Sequence, residues 1–495
     1  MATGIFLSLI IFGIDPRYHI FSEIANELDS LARHYPDIAF LDTIGYTTRD
    51  SLSIFALKIS DHAWEEEDEP AILYLANHHA EEILGIEICM YMIEDLIGNY
   101  QISDTVRNWV DNQEIWFVPL LNAEGHGVVM SELDTIWRKN KRDNNNNGFF
   151  DLDYDGVDLN RNYDFYWSQG GSTEPSSENY RGPAPFSENE AKAVSDLCMK
   201  QNFIFCNEYH SARTGLGEVI YYPWTSGEGY SPDFPFIREI ADSMSKRIIN
   251  DQGDGHYMSM AGSGLDGMAR NWLYGICGIF TYTIEVSTTT IQPGWMVDDI
   301  CQRNILGAYY LLDRVNGSGI TGCVYDSLTN MPLSAEIIVV GYYDSRLPPR
   351  QSKLDFGRFL RILAPGVYNI EIHKYGYASK YIPGVIVENQ KLTNLDVYLH
   401  KTEYNLISEN NEPNLSVNPN PINNTVIIHL SKPANFSVIK IFDASGRLVK
   451  TFTDPADNII WQRNDRNNKL IANGVYWVVG EMTGQRLTKK VVVLN

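Results

Sequence analysis

The chain has 495 residues, of which 44% are hydrophobic and 21% charged, the composition of a folded globular protein rather than a disordered one. Its 39 basic and 63 acidic residues give a formal net charge of -24, which argues against a nucleic-acid partner because phosphate binding needs clustered Lys and Arg. No apolar run reaches the roughly 18–20 residues of a membrane-spanning helix, so no transmembrane segment is predicted.

The N-terminal run IFLSLIIFGI, residues 5–14, has the length of a signal-peptide core, but no Lys or Arg precedes it. It is either a clipped or atypical export signal or an ordinary N-terminal strand. The chain has six cysteines but no Cys-x-x-Cys pair. These cysteines therefore predict neither a zinc knuckle nor a dense disulfide framework.

Helical and strand patterns alternate along roughly the first 315 residues. In chain order they are a helix at FSEIANELDSLARHYP, strands at IAFLDTI, LSIFALKI and AILYLAN, a helix at EILGIEICMYMIEDLI, and strands at EIWFVPLL, FIFCNEY and FTYTIEV. This alternation predicts an α/β domain with a mixed central sheet flanked by helices. Its active site is expected at the ends of strands.

After LLDRVNGSGITG the pattern changes to short strands separated by turn signals, which is typical of small β-sandwiches. We predict an α/β domain over residues 15–316 and a β-sandwich over 319–400. A polar linker over 401–413 and a second small β-domain over 414–495 complete the predicted organisation.

The stretch LANHHAEEIL, residues 75–84, places two histidines and two glutamates directly after a buried strand. His78 with Glu81 and His79 with Glu82 both satisfy His-x-x-Glu, and the spacing does not choose between them. A catalytic zinc needs three protein ligands, and two His with one Glu is an established set. His210, at the end of the strand FIFCNEY, is the candidate for the ligand from a second strand.

A hydrolytic zinc site also needs a proton acceptor and cationic groups. Glu285 lies within the apolar run FTYTIEV, where a carboxylate is costly unless it is paired or functional. It is the predicted general base, with a structural salt bridge as the alternative. Arg138, Arg142 and Arg161 lie in the loops WRKNKR and DLNRN and are candidates for binding a carboxylate or an oxyanion, although basic loop residues are usually just solvated.

Taken in order, HHAEE, LLNAEG, WRKNKR, GVDLNRN, YRGPAPFSENEA, NEYHSA and YTIEV resemble the zinc metallocarboxypeptidase family of carboxypeptidase A along residues 17–314. In that family the ligand histidine is followed by Ala, so the resemblance implies one Zn²⁺ per chain held by His79, Glu82 and His210. His78 is then a neighbour of the metal site. Glu81 departs from the family, which usually has a basic residue at that position.

The same resemblance implies roles for the remaining candidates. Arg138 would polarise the scissile carbonyl and hold the oxyanion, and Glu285 would activate a zinc-bound water. Asn160 and Arg161 would grip the C-terminal carboxylate of the substrate, and Ser211 would line the site beside His210. Tyr257 is matched to the tyrosine that closes over the substrate in the family, with a packing role as the alternative.

The resemblance also matches NWLYG to the family's strand that approaches the catalytic Glu, which implies that Arg270 or Asp266 lies near the floor of the substrate side-chain pocket. An inward Arg270 predicts a preference for acidic C-terminal residues, and an inward Asp266 a preference for basic ones. A charge that faces outward from a loop is the alternative to both.

The segment DNNNNGFFDLDYD resembles the start of a calcium loop over Asp143–Asp151, but Tyr154 stands where the bidentate Glu is expected. The segment is therefore either a Ca²⁺ site or an Asn-rich turn.

Two resemblances describe the C-terminal part. ITGCVYDSLTNMPLSAEIIV with DFGRFLRILAPGVYNIEIHKYGY resembles the transthyretin-like sandwich that trails such carboxypeptidases. LSVNPNPINNTVIIHL, VIKIFDASGRLVKTF and NGVYWVVGEMTGQRLTKKVVVLN resemble the C-terminal sorting domain of the bacterial type IX secretion system. The second resemblance implies a secreted or cell-surface bacterial protein that is handled by the secretion machinery.

Together these features predict an exported zinc carboxypeptidase that removes C-terminal residues from peptides or proteins. One alternative is a cell-wall peptidase of the same fold that acts on muropeptides. The other is a catalytically inert binding protein of the cell surface.

Overall fold

The structure is a computed structural model that describes residues 13–212, 217–226, 229–264, 266–344, 347–402, 414–418, 425–431, 436–453, 458–466, 469–482 and 485–493. The chain divides into two compact units, Met1–Lys401 and Thr402–Asn495. Most of the apolar run 5–14 and most of the predicted linker 401–413 lie outside the described residues. Among the described helices, none has both the length and the apolar character that crossing a bilayer requires.

A mixed sheet of nine described strands forms the centre of the first unit, in the order β1-β2-β4-β3-β5-β9-β6-β7, with β8 paired to β6. The strands are β1 Ala39–Tyr46, β2 Ser53–Ile59, β3 Ala71–Ala76, β4 Glu114–Val118, β5 Phe203–Ser211, β6 Val219–Ser226, β7 Gly229–Tyr230, β8 Met258–Ser263 and β9 Phe280–Val286. The four strands β4, β3, β5 and β9 are parallel to one another, whereas β1 and β2 are antiparallel to their neighbours. This arrangement confirms the predicted α/β fold class.

Helices cover the sheet. They are α1 Phe21–His34, α2 Leu84–Asn99, α3 Asp104–Val110, α4 Ala123–Met130, α5 Asn189–Lys200, α6 Phe234–Ser245, α7 Ala269–Trp272 and α8 Gly294–Arg314. Every residue of β3, β4 and β5 is buried, which explains why these strands have continuous apolar runs instead of an alternating pattern. The central strands are thus fixed by packing on both faces.

The register of the central parallel strands brings polar residues together at one edge of the sheet. Ala76, the last residue of β3, pairs with Tyr209 of β5. On β5 and β9, Glu208 pairs with Thr283 and His210 pairs with Glu285. Because side chains alternate along a strand, these four residues share one face of the sheet.

A β-sandwich follows within the same unit. Its strands are β10 Gly319–Asp326, β11 Glu336–Val339, β12 Arg350–Gln351, β13 Arg358–Ile362, β14 Gly366–His373, β15 Lys380–Val387, β16 Leu392–Asn394 and β17 Val397–Leu399. They form two sheets, one with β13, β10, β16 and β17 and the other in the order β12-β11-β14-β15. Its apolar core is continuous with that of the α/β part.

A buried ion pair links the sandwich to the α/β part. Arg361 of β13 donates to the Asp233 carboxylate at 2.9 Å, and the Tyr274 hydroxyl donates to the other oxygen of Asp233 at 2.8 Å. Asp233 is 1% and Arg361 7% exposed. Asp233 is the direct counter-charge of Arg361, and Arg350 is a more distant cation, 3.9 Å from the other Asp233 oxygen.

The described residues of the second unit form two small sheets with their own apolar core, which includes Trp461. One sheet has the order β18-β19-β22 and the other the order β21-β20-β23-β24. The strands are β18 Asn414–Asn418, β19 Val426–Ser431, β20 Phe436–Asp443, β21 Leu448–Phe452, β22 Asn458–Trp461, β23 Gly474–Met482 and β24 Gln485–Val493.

The buried pair gives a stability prediction for the first unit. Arg361→Met keeps much of the side-chain volume but leaves Asp233 with only the more distant Arg350, at 3.9 Å, so it should lower the free energy of unfolding by up to about 3–5 kcal/mol. The matched control is Lys391→Met, because Lys391 pairs with Glu388 at the surface, where side-chain exposures are 67% and 57%. Its effect should stay below about 1 kcal/mol. Urea titration with hydrogen exchange on sandwich peptides measures both, and equal values would contradict the prediction.

Candidate active site

The turn after β3 delivers His79 and Glu82. Asn77 has a positive φ of 64°, a conformation that Asn tolerates better than most residues. Its side-chain amide donates to the His79 carbonyl at 3.0 Å, which fixes the course of the turn. Glu82 follows just before α2, so both candidate ligands lie on a short and well-anchored segment.

The side chains of His79, Glu82 and His210 converge. His79 Nδ1 lies 2.9 Å from one carboxylate oxygen of Glu82, and His210 Nδ1 lies 2.6 Å from the other. The two Nδ1 atoms are 3.0 Å apart. All three residues are at most 4% exposed. Two imidazole nitrogens and one carboxylate in this arrangement fit a zinc ion.

Each of the two histidines has a carboxylate beside its other ring nitrogen. His79 Nε2 lies 3.3 Å from Asp158, and His210 Nε2 lies 3.0 Å from Glu208. A carboxylate at this position fixes the ring tautomer and leaves Nδ1 free of a proton for a metal. This outer pair of acids is a second observation that favours zinc at the site.

Sequence reasoning missed Asp158 and Glu208. Asp158 stands two positions before Asn160 in the same motif, and its backbone opens the short 3₁₀ turn Leu159–Arg161. Glu208 stands two positions before His210 on β5, so period-two alternation places both on one face. This alternation could have identified Glu208 from the sequence as a neighbour of His210.

His78 lies in a different environment from His79. Its Nε2 is 2.8 Å from the Tyr163 hydroxyl, and its Nδ1 is 3.1 Å from Glu208. Burial lowers the pKa of His78 to about 4. Among the described residues, the close groups of metal-ligand atoms that involve this stretch are His79–Glu82–His210 and His78–Glu208–His210, and neither includes Glu81.

The charged groups around the three converging side chains alter one another's pKa. Burial would raise the pKa of Glu82, but His79 and His210 outweigh it and lower that pKa. Burial raises the pKa of Glu285, with a smaller contribution from Glu82. Arg138 lies 3.0 Å from Asp158 and 3.8 Å from Glu82.

A cavity of about 560 Å³ opens in front of these groups. Its lining includes the predicted residues His79, Glu82, Arg138, Asn160, Arg161, His210, Ser211, Arg270 and Glu285. Tyr221, Gly262, Ser263, Met268 and Thr283 complete the part of the wall around Arg270. The structure therefore brings nearly all of the predicted site residues to one cavity.

Arg270, rather than Asp266, lines this cavity. The Arg270 guanidinium donates to the Thr283 hydroxyl at 2.8 Å, and a β-carbon at position 262 would collide with it, so Gly262 permits its close approach. Arg270 is 5% exposed, and its Nε has no hydrogen-bond partner among the described residues. Burial lowers the pKa of Arg270. Asp266 packs against Gly170 and Gly264 instead.

Two other candidates lie away from the cavity. Tyr257 is 4% exposed in the core, where its hydroxyl accepts a hydrogen bond from the Ser287 backbone at 2.9 Å. Tyr257 thus does not line the cavity in this structure, and its role over the substrate stays a prediction. Arg142 forms an ion pair with Glu188 at 3.0 Å.

The calcium prediction over Asp143–Asp151 finds no support. The Asp143 carboxylate accepts hydrogen bonds from the backbone of Asn147 and Gly148, at 3.2 and 2.8 Å. The Asp151 carboxylate accepts from the side chains of Asn145 and Asn147, at 3.0 and 2.7 Å. The carboxylates serve the turn itself, as in an ordinary Asn-rich loop.

Comparison with known families decides what kind of protein this is. The family model "zinc carboxypeptidase" matches residues 24–305, which is more than half of the chain. The chain belongs to the zinc carboxypeptidase family. Residues 416–494 match the secretion system C-terminal sorting domain, which marks the chain as a secreted or cell-surface bacterial protein.

Individual relatives agree with this family. A zinc carboxypeptidase of Saccharothrix mutabilis subsp. capreolus is 27% identical over 301 residues, which are 57% of this chain and 64% of that relative. The chain thus spans slightly less than two thirds of that protein. Carboxypeptidase O of Bos taurus is 25% identical over 310 residues, 60% of this chain and 79% of that relative.

Solved structures show the same fold. Carboxypeptidase A from Helicoverpa armigera has a TM-score of 0.53 and 20% identity over 59% of this chain and 72% of its own. Thrombin activatable fibrinolysis inhibitor has a TM-score of 0.53 and 23% identity, over 60% of this chain and 76% of its own.

The converging ligand set predicts one zinc per chain. His79→Ala should reduce zinc affinity by more than the roughly 10–100-fold that loss of an outer-shell partner costs, because it removes a ligand itself. His62→Ala is the control, since His62 belongs to a separate and partly exposed group with Asp61 and Glu67 that offers metal-ligand atoms. Zinc content after gel filtration, measured by mass spectrometry, should be lost only in His79→Ala. Loss in His62→Ala alone would place the metal elsewhere.

Proposed function

We propose that this protein is an exported metallocarboxypeptidase that hydrolyses the C-terminal peptide bond of peptides or proteins. The observation that carries the proposal is the cavity in which His79, Glu82 and His210 converge beside Glu285, Arg138 and Arg161. A metal site, a carboxylate with a raised pKa and arginines in one cavity provide what peptide-bond hydrolysis needs. An inert binding protein would not need this combination.

The residues of the cavity divide the reaction among them. A zinc ion held by His79, Glu82 and His210 would supply Lewis acidity and lower the pKa of water. Glu285 removes the proton of the attacking water and delivers it to the leaving amine nitrogen. Arg138 donates to the carbonyl oxygen of the scissile bond as negative charge develops on it.

The orientation of the substrate depends on the C-terminal carboxylate. Asn160 and Arg161 line the cavity, and the planar guanidinium of Arg161 suits bidentate binding of a carboxylate. Asn160 is itself held in place, because its side-chain oxygen accepts a hydrogen bond from the Ala269 backbone at 2.9 Å. An amide bond one residue from the free terminus is thereby presented to Glu285.

Arg270 extends the proposal to specificity. Its guanidinium is buried in the cavity wall with a hydroxyl as neighbour, and among the described residues no carboxylate lies within 4.0 Å of it. A buried cation without a direct counter-charge favours a ligand that supplies one. The side chain of a C-terminal Glu or Asp has that charge.

The function is tested by incubating the purified protein with a mixed peptide library. Wild-type protein should remove single C-terminal residues, and a zinc chelator should stop it. Glu285→Gln should lower kcat by about 10²–10⁴ while zinc stays bound, because Gln cannot accept the proton. Loss of peptide mass, read by mass spectrometry, follows each reaction.

Glu190→Gln is the matched control for that substitution. Burial raises the pKa of Glu190 to about 8, so a neutral Gln resembles the form that this side chain already has near neutral pH. It should keep wild-type activity. If peptides survive with zinc bound at one per chain, the carboxypeptidase proposal fails, and muropeptides are the next substrates to test.

The specificity proposal predicts that Arg270→Met reduces kcat/KM for peptides ending in Glu by roughly 10–100-fold, since it removes hydrogen bonds to a charged group. Peptides ending in Leu should change much less. Arg238→Met is the control, because it makes the same exchange at a side chain that is 58% exposed and does not line the cavity. An equal loss for both kinds of peptide would show that Arg270 does not read the terminal side chain.

A further inference from the structure

Glu208 is a buried carboxylate with contacts to two parts of the cavity wall. One of its oxygens lies 3.0 Å from His210 Nε2, and the other accepts a hydrogen bond from the Thr283 hydroxyl at 2.9 Å. The Thr283 hydroxyl in turn accepts from the Arg270 guanidinium at 2.8 Å. A continuous chain of hydrogen bonds thus runs from the metal-site histidine to the arginine of the specificity pocket.

The strand register explains why these groups meet. Glu208 and His210 lie on one face of β5, and their partners on β9 are Thr283 and Glu285. Two adjacent cross-strand pairs therefore hold a ligand, a base, a carboxylate and a hydroxyl in fixed relative positions. Arg270 reaches Thr283 from α7.

The burial of two charged groups explains why this series of hydrogen bonds exists. Glu208 is 0% and Arg270 5% exposed, so each is a charge removed from water. A buried charge is costly without an opposite partner. Glu208 lies 3.1 Å from His78 and 3.0 Å from His210, and Thr283 adds a link to Arg270 by donating to Glu208 and accepting from the guanidinium. The hydroxyl also sets the direction in which the guanidinium faces the cavity.

A second metal ion is the competing explanation, because His78, Glu208 and His210 also offer close ligand atoms. That arrangement would require His210 to bind one ion through each ring nitrogen. It would also compete with the Thr283 hydroxyl for Glu208. The hydrogen-bonded chain accounts for both Glu208 oxygens without such demands.

We propose that Glu208 is a positioning residue that orients the zinc ligand His210 and, through Thr283, the specificity arginine Arg270. This inference rests on the proposed function, since it assigns Arg270 to substrate selection. Retention of zinc and preference for an acidic C-terminal residue then depend on the same carboxylate.

Glu208→Gln tests this idea, because an amide has one acceptor oxygen where the carboxylate has two. If its oxygen faces His210, its NH₂ group meets a Thr283 hydroxyl that must donate elsewhere. If its NH₂ group faces His210, that ring must place its proton on Nδ1, where it blocks metal binding. In either orientation of the amide, one of the two hydrogen bonds of residue 208 is disrupted, either the one with His210 or the one with Thr283.

The measurements are zinc affinity by chelator competition and the ratio of kcat/KM for peptides ending in Glu and in Leu. Glu208→Gln should reduce zinc affinity by roughly 10–100-fold and also lower the Glu/Leu ratio. Thr283→Val should lower only the ratio, by roughly 2–10-fold through KM. Thr283→Ser, which keeps the hydroxyl, should restore the ratio, and Glu190→Gln should change neither quantity.

Several results would overturn the proposal. They are wild-type zinc affinity in Glu208→Gln, an unchanged ratio in Thr283→Val, and two zinc ions per chain in the wild type. Thermal unfolding of the zinc-free proteins shows which variants fold, and Thr283→Val carries the test if Glu208→Gln does not. If wild-type protein cleaves no peptide, the proposed function fails, while zinc affinity still reports on Glu208.

Discussion

The parallel pairing of β3, β5 and β9 is the constraint on which the rest of the site depends. It places the ends of three buried strands at one sheet edge, and the β5–β9 register sets His210 beside Glu285. The backbone hydrogen bonds between these strands hold the side chains in place more precisely than a loop would. A slip of one residue in the β5–β9 register would put His210 and Glu285 on opposite faces of the sheet.

Electrostatic pairing is the second level of organisation. The site gathers the carboxylates Glu82, Asp158, Glu208 and Glu285 with Arg138, Arg270 and three histidines in a largely buried volume. Burial would raise the pKa of Glu208, yet His78 and His210 outweigh it and hold that pKa at about 2. Glu82, Asp158 and Glu208 are thus kept charged by nearby cationic groups, whereas burial and Glu82 favour the neutral form of Glu285.

Much of this could be predicted from the sequence. The buried strands were evident because their apolar runs are continuous, and the chain order of the motifs indicated the family before any geometry was known. His79 and Glu82 follow β3 closely and His210 lies near the end of β5, so their positions relative to the strands could be predicted. The roles of these residues stay predictions, as do the boundaries of the domains along the chain.

Other features were beyond the sequence because they depend on long-range contacts. Whether Arg270 or Asp266 faces the cavity is decided by the packing of α7 against Gly262 and Thr283, which no local pattern encodes. Tyr257 was matched by order alone, and its burial against Ser287 became visible only in the fold. The partnership of Asp233 with Arg361 joins residues 128 positions apart, a separation at which charge pairs cannot be read from sequence.

The hydroxyl bridge between Glu208 and Arg270 also restricts how this protein can evolve. A lineage that exchanged Arg270 for a neutral residue would remove one cation that acts on Glu208, while His78 and His210 would stay beside that carboxylate. The Thr283 hydroxyl would lose its donor, and any substitution of Thr283 that followed would also change a hydrogen bond of Glu208. If Arg270 reads the terminal side chain as proposed, a change of substrate preference therefore alters the contacts of a residue that also lies beside the zinc-site histidine.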